Sequence, residues 1–355
     1  MFDPIITINL ESVRYNNSIL SSLVSPKCQT MAVIKANAYG VGAEKVCDAI
    51  DADYFAVARI TEAIALKKKF PSKEFVVLSG VLSKAELEIA LEYDLVIVIH
   101  STFQLELLEA IGSNQLIQCW LKYDSGMHRL GLNDGDIERI LETLLSIDEV
   151  EVKGILSHLS SADTDAKVCK QQVSKLVAIS NNKKLPISMT NSAGLLRGVR
   201  INQQVARLGL ALYSISPFTE NMEENLRLKQ VYKFSAKVIS IREHEENEPV
   251  GYNRTWISKS KTRIAVVGVG YADGYPRSIE ENTPVLINQK RYPIVGRVSM
   301  DLLTVDIGFD QSVNLGDEVI LLGETLPIEL ISKLSDRIPY ELLTRISSRV
   351  VRTYL

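Results

Sequence analysis

Lys35 is the first residue in the chain whose type and place suggest chemistry. It ends the apolar run in the stretch AVIKANAYG, residues 32–40. A buried ammonium group is unfavourable unless it is paired or neutralised. The lysine therefore either marks the exit of a strand into solvent or is an amine held at a pocket for carbonyl chemistry. The stretch alone favours the exit into solvent, because most lysines lie at the surface.

Polar residues follow several other apolar runs in the same way. Each has an ordinary structural explanation: His158 as a hydrogen-bonded structural residue, Ser192 as a helix cap and Arg207 as an ion-pair partner. Together they offer an amine, a guanidinium, an imidazole and a helix-opening hydroxyl, which suit an anion held beside a reactive amine. The set comprises Lys122 and Arg129, Ser157 and His158, Asn191 and Ser192, and Arg207 with Gly209.

Residues 31–215 contain the elements that must position this set. Short apolar runs alternate with segments of helical period, such as TEAIALKKKF and SKAELEIALEY. Strand alternating with helix predicts a parallel sheet, and eight fully apolar strands favour an α/β fold of the (β/α)₈ TIM-barrel type. A doubly wound open sheet is the alternative, because the last two units are short. The runs are 31–35, 54–58, 75–79, 95–99, 116–122, 152–157, 187–190 and 205–209.

A barrel of this type would bring the polar residues to one face. Its active site lies at the C-terminal ends of the strands, and the loops after strands seven and eight often hold a phosphate. Ser192 at the start of a helix and backbone N–H groups near Gly209 suit that task. A phosphate site facing a lysine indicates pyridoxal phosphate, which a lysine holds as a Schiff base.

Length and composition set limits on the class of protein. The 355 residues correspond to about two domains. The net charge of −3 gives no support for a nucleic-acid partner. Four scattered cysteines argue against a disulfide framework and against a zinc site. The start MFDPIITINL does not resemble a signal peptide and no apolar run is long enough to span a bilayer, so we expect a cytoplasmic protein with no membrane or metal partner.

The pattern of the sequence changes in the region 220–235. A polar connector, TENMEENLRLKQ at 219–230, precedes closely spaced β-branched runs such as TRIAVVGVG and DEVILLG. We predict a barrel domain over 1–230 and a mostly β domain over 231–355, with residues 1–10 packing on the second domain. One helical piece is predicted at 328–346.

Six stretches, in order along residues 5–350, resemble the motifs of the alanine racemase family. They are AVIKANAYG, LKYDSGMHRLG, TNSAG, VGYNRTW, GVGYADGYPR and YPIVGRVSMD. The resemblance implies a pyridoxal-phosphate-dependent isomerase that interconverts L-alanine and D-alanine and supplies the latter for peptidoglycan. It also implies a homodimer in which the β domain of one subunit completes the active site of the other.

The resemblance further implies roles for single residues. Lys35 resembles the Schiff-base lysine and one of two catalytic bases, and Tyr252 resembles the opposing base from the other subunit. Lys122 resembles a lysine that the family often carries as a carbamate, which orients Arg129. The residues that resemble cofactor contacts are Tyr39, His158, Asn191, Ser192, Arg207, Gly209, Leu210 and Tyr340, and those that resemble substrate contacts are Arg129, Met300 and Tyr271.

Three alternatives remain at this stage. A racemase of another or broader amino-acid range, for example serine, would share all these residues. A decarboxylase of the same architecture is disfavoured by Arg207, because an arginine at the pyridine nitrogen keeps its proton and favours a short-lived carbanion that is reprotonated at Cα. A non-catalytic pyridoxal-phosphate carrier is disfavoured by the second domain.

Overall fold

The structure is a computed structural model that describes residues 2–111, 115–199, 201–218 and 228–355. Of the predicted polar connector, residues 219–227 lie outside this described part. In the part of the chain that the structure describes, no helix combines the length and apolar character needed to cross a bilayer.

The predicted (β/α)₈ barrel is confirmed. Eight parallel strands lie in the order β8-β7-β6-β5-β4-β3-β2-β9, and each coincides with one predicted apolar run. Within this order β8 and β9 share no ladder, so a seam remains between the two end strands. The strands are β2 (Gln29–Val33), β3 (Tyr54–Val57), β4 (Phe75–Val77), β5 (Val96–Ile99), β6 (Ile117–Lys122), β7 (Val150–Leu156), β8 (Ile187–Ser188) and β9 (Val205–Leu208).

Helices cover the outside of the barrel and follow the predicted periodicity. In α7 (Asp134–Leu145) the buried residues are Ile137, Ile140, Leu141 and Leu144, which form one apolar face at helical spacing. The Asn133 side chain caps this helix by accepting the N–H groups of residues 135 and 136 at 2.9 Å. The other helices of this region are α1 (Leu10–Ser22), α2 (Lys35–Tyr39), α3 (Ala43–Ala49), α4 (Ile60–Lys67), α5 (Lys84–Glu92), α6 (Thr102–Ile111), α8 (Ala166–Lys183) and α9 (Ser192–Leu196).

The second region is mostly β, as predicted, and is built around one long strand, β10 (Tyr232–His244). Strand β1 (Ile5–Ile8) pairs antiparallel with β10 and parallel with β18 (Val351–Tyr354), so both ends of the chain lie in this sheet. The remaining strands are β11 (Pro249–Val250), β12 (Trp256–Ile257), β13 (Thr262–Val267), β14 (Pro284–Ile287), β15 (Lys290–Pro293), β16 (Leu303–Asp306) and β17 (Glu318–Leu322).

The single helical piece predicted at 328–346 is wrong in one respect, because it is two helices. Helix α10 (Ile328–Ser335) ends at Asp336, whose backbone is left-handed with φ 51°. Helix α11 (Pro339–Thr344) begins at Pro339, which has no N–H to continue a preceding helix. The apolar periodicity continues through both helices and hides this break.

Helix α2 is a left-handed turn, and it carries Lys35 at its start. Residues 36–39 have φ between 52° and 56°, although none of them is glycine. Left-handed backbone costs about 1–2 kcal/mol for each such residue, so surrounding contacts must hold it. Gly40 continues the turn at φ 89°, and a Cβ there would lie 2.6 Å from the Leu343 carbonyl oxygen of α11. From β18, Arg352 Nε donates to the Gly40 carbonyl at 3.2 Å.

Candidate active site

A cavity of about 550 Å³ lies at the C-terminal ends of the barrel strands. Many of the predicted site residues line it, from five different strands. Strand β2 ends at Val33, two residues earlier than predicted. Lys35 therefore reaches the cavity from the left-handed turn that follows this strand. The predicted residues that line it are Lys35, Tyr39, Lys122, Arg129, Ser157, His158, Asn191, Ser192, Arg207, Gly209, Leu210 and Tyr340.

The cavity is strongly cationic. Four of the lining residues are Lys or Arg, and none of the described residues that line it is Asp or Glu. Burial lowers the pKa of the Lys35 amine, and the Arg129 guanidinium lowers it further. Burial also lowers the pKa of Lys122, to about 8, with help from the positive charge of Arg207. The arrangement therefore favours bound anions and amines that lose their protons easily.

Arg207 bridges the seam between β8 and β9. Its side chain leaves β9, and its Nη1 donates to the Ser188 carbonyl of β8 at 2.9 Å and to the Ser188 hydroxyl at 2.8 Å. Its Nη2 donates to the carbonyls of Ser157 at 2.6 Å and Met189 at 3.1 Å. Burial lowers the pKa of Arg207 to about 10, so the group stays charged at neutral pH. The guanidinium thus adds to the few backbone hydrogen bonds that cross this seam, such as the one from the Gln204 N–H to the Ile187 carbonyl at 3.0 Å.

His158 packs against this guanidinium as a neutral ring. Its Nδ1 lies 3.2 Å from Nη2 of Arg207. Burial lowers the pKa of His158 well below its usual range, and the charges of Arg207 and Lys122 add to this effect. Because Nδ1 faces an N–H donor, we assign the ring proton to Nε2.

The part of the cavity wall that follows β9 has the form of a phosphate cradle. Gly209 precedes a short 3₁₀ turn, Leu210–Tyr213, whose first N–H groups have no partner within the turn. A Cβ on Gly209 would lie 3.4 Å from the Tyr39 hydroxyl and 3.6 Å from the Ser192 hydroxyl, so only glycine leaves this space open. Hydroxyls and N–H groups around an open backbone are the donors that a phosphate needs.

Three predicted residues lie outside the cavity. Tyr252, Tyr271 and Met300 belong to the second region and are not among its lining residues. Tyr252 is 67% exposed and Met300 is 53% exposed. Tyr271 N–H bonds to the Ser299 carbonyl at 3.0 Å, which places it beside Met300. All three side chains are exposed, and none of them lines the cavity of its own chain.

Comparison with known families covers nearly the whole chain. The family model described as the alanine racemase N-terminal domain matches residues 8–217, and that of the alanine racemase C-terminal domain matches residues 231–354. The chain belongs to the alanine racemase family. The alanine racemase of Pasteurella multocida is 38% identical over 354 residues, which is 98% of each chain.

Solved alanine racemases share the complete fold. The biosynthetic enzyme from Pseudomonas aeruginosa aligns with a TM-score of 0.94 at 34% identity over 100% of both chains. The enzyme from Bartonella henselae, whose structure has covalently bound pyridoxal phosphate, aligns with a TM-score of 0.93 at 30% identity over 99% of both chains.

The residues fit the cofactor of the alanine racemase family. Pyridoxal phosphate brings an aldehyde, a phosphate and a ring nitrogen, and the cavity offers a lysine amine, an open cradle at Gly209 and the guanidinium of Arg207. The cationic lining also suits the negative charge of the phosphate and of an amino-acid carboxylate.

Sequence reasoning missed several residues that support the alanine racemase site. The Tyr213 hydroxyl donates to the Val33 carbonyl at 3.0 Å and holds the end of β2. Ser188 and Met189 provide acceptors for Arg207 beside the predicted Ser157. Glu62 accepts the N–H of Ala36, next to Lys35, at 2.7 Å. The only signal for Glu62 was its place in the first turn of a helix that follows a strand.

The buried amine of Lys122 predicts a pH-dependent stability. Its pKa is about 8 in the folded protein and near 10.5 in the unfolded chain, so below pH 8 both states hold the proton and the folded state carries the full cost of burying the charge. Between these values the unfolded state binds more protons, and stability rises with pH. In thermal unfolding experiments in CO₂-free buffer, the unfolding temperature of the wild type should rise relative to that of K122M from pH 8 to pH 10. A difference that does not vary with pH would contradict this.

Proposed function

We propose that this chain interconverts L-alanine and D-alanine with pyridoxal phosphate, using Lys35 as the cofactor's tether and as one base, and Tyr252 of a second subunit as the other. The observation that carries the proposal is the Lys35 amine facing a phosphate cradle in a cavity lined by cations. Membership of the alanine racemase family supports the substrate. The product D-alanine would supply peptidoglycan synthesis.

Two bases on opposite faces of Cα explain racemisation most directly. When bound, pyridoxal phosphate accepts electron density from the amino acid and makes its Cα proton acidic. The Lys35 amine, with its lowered pKa, removes or returns this proton on one face. Tyr252 would do the same on the other face. Arg207 keeps its own proton and so gives none to the ring nitrogen, which favours return of the proton to Cα.

The other residues would bind and orient. Tyr39, Ser192 and Tyr340 would donate hydroxyls to the phosphate, with Asn191 fixing the helix start through its side chain, which accepts the Gly194 N–H at 2.9 Å. The phosphate would also take the N–H groups of Gly209 and Leu210. Arg129 and the backbone of Met300 would hold the substrate carboxylate. Tyr271 would line the entrance, and His158 would support Arg207.

We also propose that Lys122 is a carbamate in the working enzyme. A lysine with a pKa of about 8 has a substantial neutral fraction near neutral pH, and a neutral amine is the form that combines with CO₂. The bond forms between Nζ and the CO₂ carbon, and the amine releases one proton to solvent. The carbamate would supply the negative charge that the cavity lining lacks and would orient Arg129.

Exposed side chains of the second region support the proposal of a homodimer with shared sites. Tyr252 and Met300 are large side chains without a cavity of their own, and Ile257 is 53% exposed in the same region. We take these exposed side chains to belong to the proposed dimer interface. A reducing cytoplasm is supported by the four free cysteines.

The experiment that tests this function uses L-alanine in deuterated water. We expect D-alanine that carries deuterium at Cα, measured by chiral separation and mass. Exchange at Cα without D-alanine would mean that only the Lys35 side works. No exchange with alanine from protein that holds the cofactor would overturn the proposal, and the same assay with serine tests the broader substrate range.

A further inference from the structure

Glu62 links two backbone segments at the edge of the cavity. Its Oε1 accepts the N–H of Ala36 at 2.7 Å. Its Oε2 accepts the N–H groups of Ala58 and Arg59, both at 3.0 Å. Ala58 and Arg59 join β3 to α4, and Glu62 lies in the first turn of α4. One carboxylate thus ties the peptide that follows Lys35 to the neighbouring βα loop.

The hydrogen bond between Glu62 and the Ala36 N–H lies where the backbone conformation is unfavourable. Ala36 is the first of the four left-handed residues behind Lys35, with φ 52° and no glycine to relieve the strain. Non-glycine residues keep such a conformation only when surrounding contacts fix it. A charged acceptor makes a stronger hydrogen bond to a backbone N–H than a neutral one does. Glu62 is therefore placed to fix the direction in which Lys35 leaves the barrel wall.

The charge of Glu62 also differs in sign from its surroundings. The positively charged groups that act on the Lys35 amine are Arg129, Arg207 and, as long as it is unmodified, Lys122. Glu62 opposes them, because it raises the pKa of Lys35 while burial and Arg129 lower it. A single carboxylate outside the lining thus counters part of the positive field.

We propose that Glu62 is a positioning residue for Lys35, which fixes the left-handed turn behind the amine and balances the cations around it. The inference rests on the proposed role of Lys35 as tether and base. Glu62 itself touches only backbone N–H groups, so it acts on the reaction through the lysine.

Three variants separate this role from ordinary helix capping. E62A removes both acceptors and the charge, and E62Q keeps one acceptor but loses the charge. E86Q is the matched control, because Glu86 holds the same first-turn place in α5 and accepts the Leu82 N–H at 2.7 Å, away from the cavity lining.

We expect E62A to lower kcat about tenfold to a hundredfold, since a misplaced catalytic group reduces turnover to this extent. KM for alanine should change less than about twofold, because the carboxylate does not face the substrate. E62Q should lose less in kcat. E86Q should lower thermal stability without altering kcat. Equal losses of kcat in E62A and E86Q, or a wild-type kcat in E62A, would overturn the proposal.

The holoenzyme gives a second readout that does not depend on turnover. The visible absorbance of the bound cofactor reports protonation of the Lys35 nitrogen, and its pH midpoint should fall in E62Q because the protonated form then loses one favourable negative charge. E86Q should keep the wild-type midpoint. An unchanged midpoint in E62Q would overturn the charge-balancing role, even where E62A fails to fold. Wild-type protein without cofactor absorbance would instead refute the proposed function of Lys35.

Discussion

Replacing Lys35 by alanine is expected to lower the turnover of alanine about 10⁴-fold or more in both directions. General-base catalysis alone contributes about 10² to 10⁴, and this variant also loses the amine that would tether the cofactor. The position is half-buried at the cavity, so the shortened side chain leaves an open space in the cavity wall. Steady-state rates in both directions and the visible absorbance of bound cofactor measure the two losses separately.

Chemical rescue sharpens this test of Lys35. A small alkylamine can enter the space left in K35A and supply a neutral amine, so activity should return in proportion to the neutral fraction of the added amine. K35R is the matched variant with a charge but no readily removed proton, and it should stay inactive. Activity of K35A without added amine would contradict the role of Lys35 as a base.

Replacing Tyr252 by phenylalanine should leave cofactor binding intact and lower racemisation about 10²-fold to 10⁴-fold in at least one direction, as expected for the loss of one base. The side chain is 67% exposed, so removal of its hydroxyl should leave the free energy of unfolding nearly unchanged. Rates from L-alanine and from D-alanine, measured apart, give the result. Tyr93→Phe is the control, because this tyrosine follows α5 outside the cavity lining and has no proposed role in the reaction.

Mixing K35A with Y252F, refolded or exchanged together, tests whether sites are shared between subunits. Random pairing makes half of the dimers hybrid, and each hybrid has one site with both an intact Lys35 and an intact Tyr252, so activity should return to about one quarter of the wild-type value. If each chain used its own Tyr252, no mixture would regain activity. Persistent inactivity of a mixture that contains hybrid dimers would therefore contradict the shared site.

The barrel could be predicted because its strands are buried on both faces. Such strands appear as continuous apolar runs, for example 95–99, and the helical segments between them repeat at 3.6 residues. The break between α10 and α11 could not be predicted from periodicity, because the apolar positions continue in phase across Asp336 and Pro339. The seam between β8 and β9 could not be predicted either, because the hydrogen bonds across it produce no periodic pattern in the sequence.

The cavity residues could be predicted because parallel strands bring their C-terminal ends to one face. Counting the strands was enough to predict that Lys122 and Arg207 lie in the same cavity. The left-handed turn behind Lys35 was hidden, because alanine, asparagine and tyrosine do not indicate positive φ as glycine does. Glu62 was hidden as well, because a first-turn glutamate is common at helices and its hydrogen bond to Ala36 joins segments that are distant in sequence.

The place of Arg207 in the seam, together with its proposed role at the cofactor's ring nitrogen, would limit how this chain could evolve. Enzymes that stabilise a longer-lived carbanion need a proton donor, commonly an acid, at the cofactor's ring nitrogen. A glutamate at position 207 would bring an acceptor to the Ser157, Ser188 and Met189 carbonyls, which now receive N–H donors and would then remain unpaired in the seam. A mutation toward a different reaction would thus first weaken the fold. Selection for stability alone would keep the arginine, and with it the type of reaction, even in a lineage no longer selected for its original substrate.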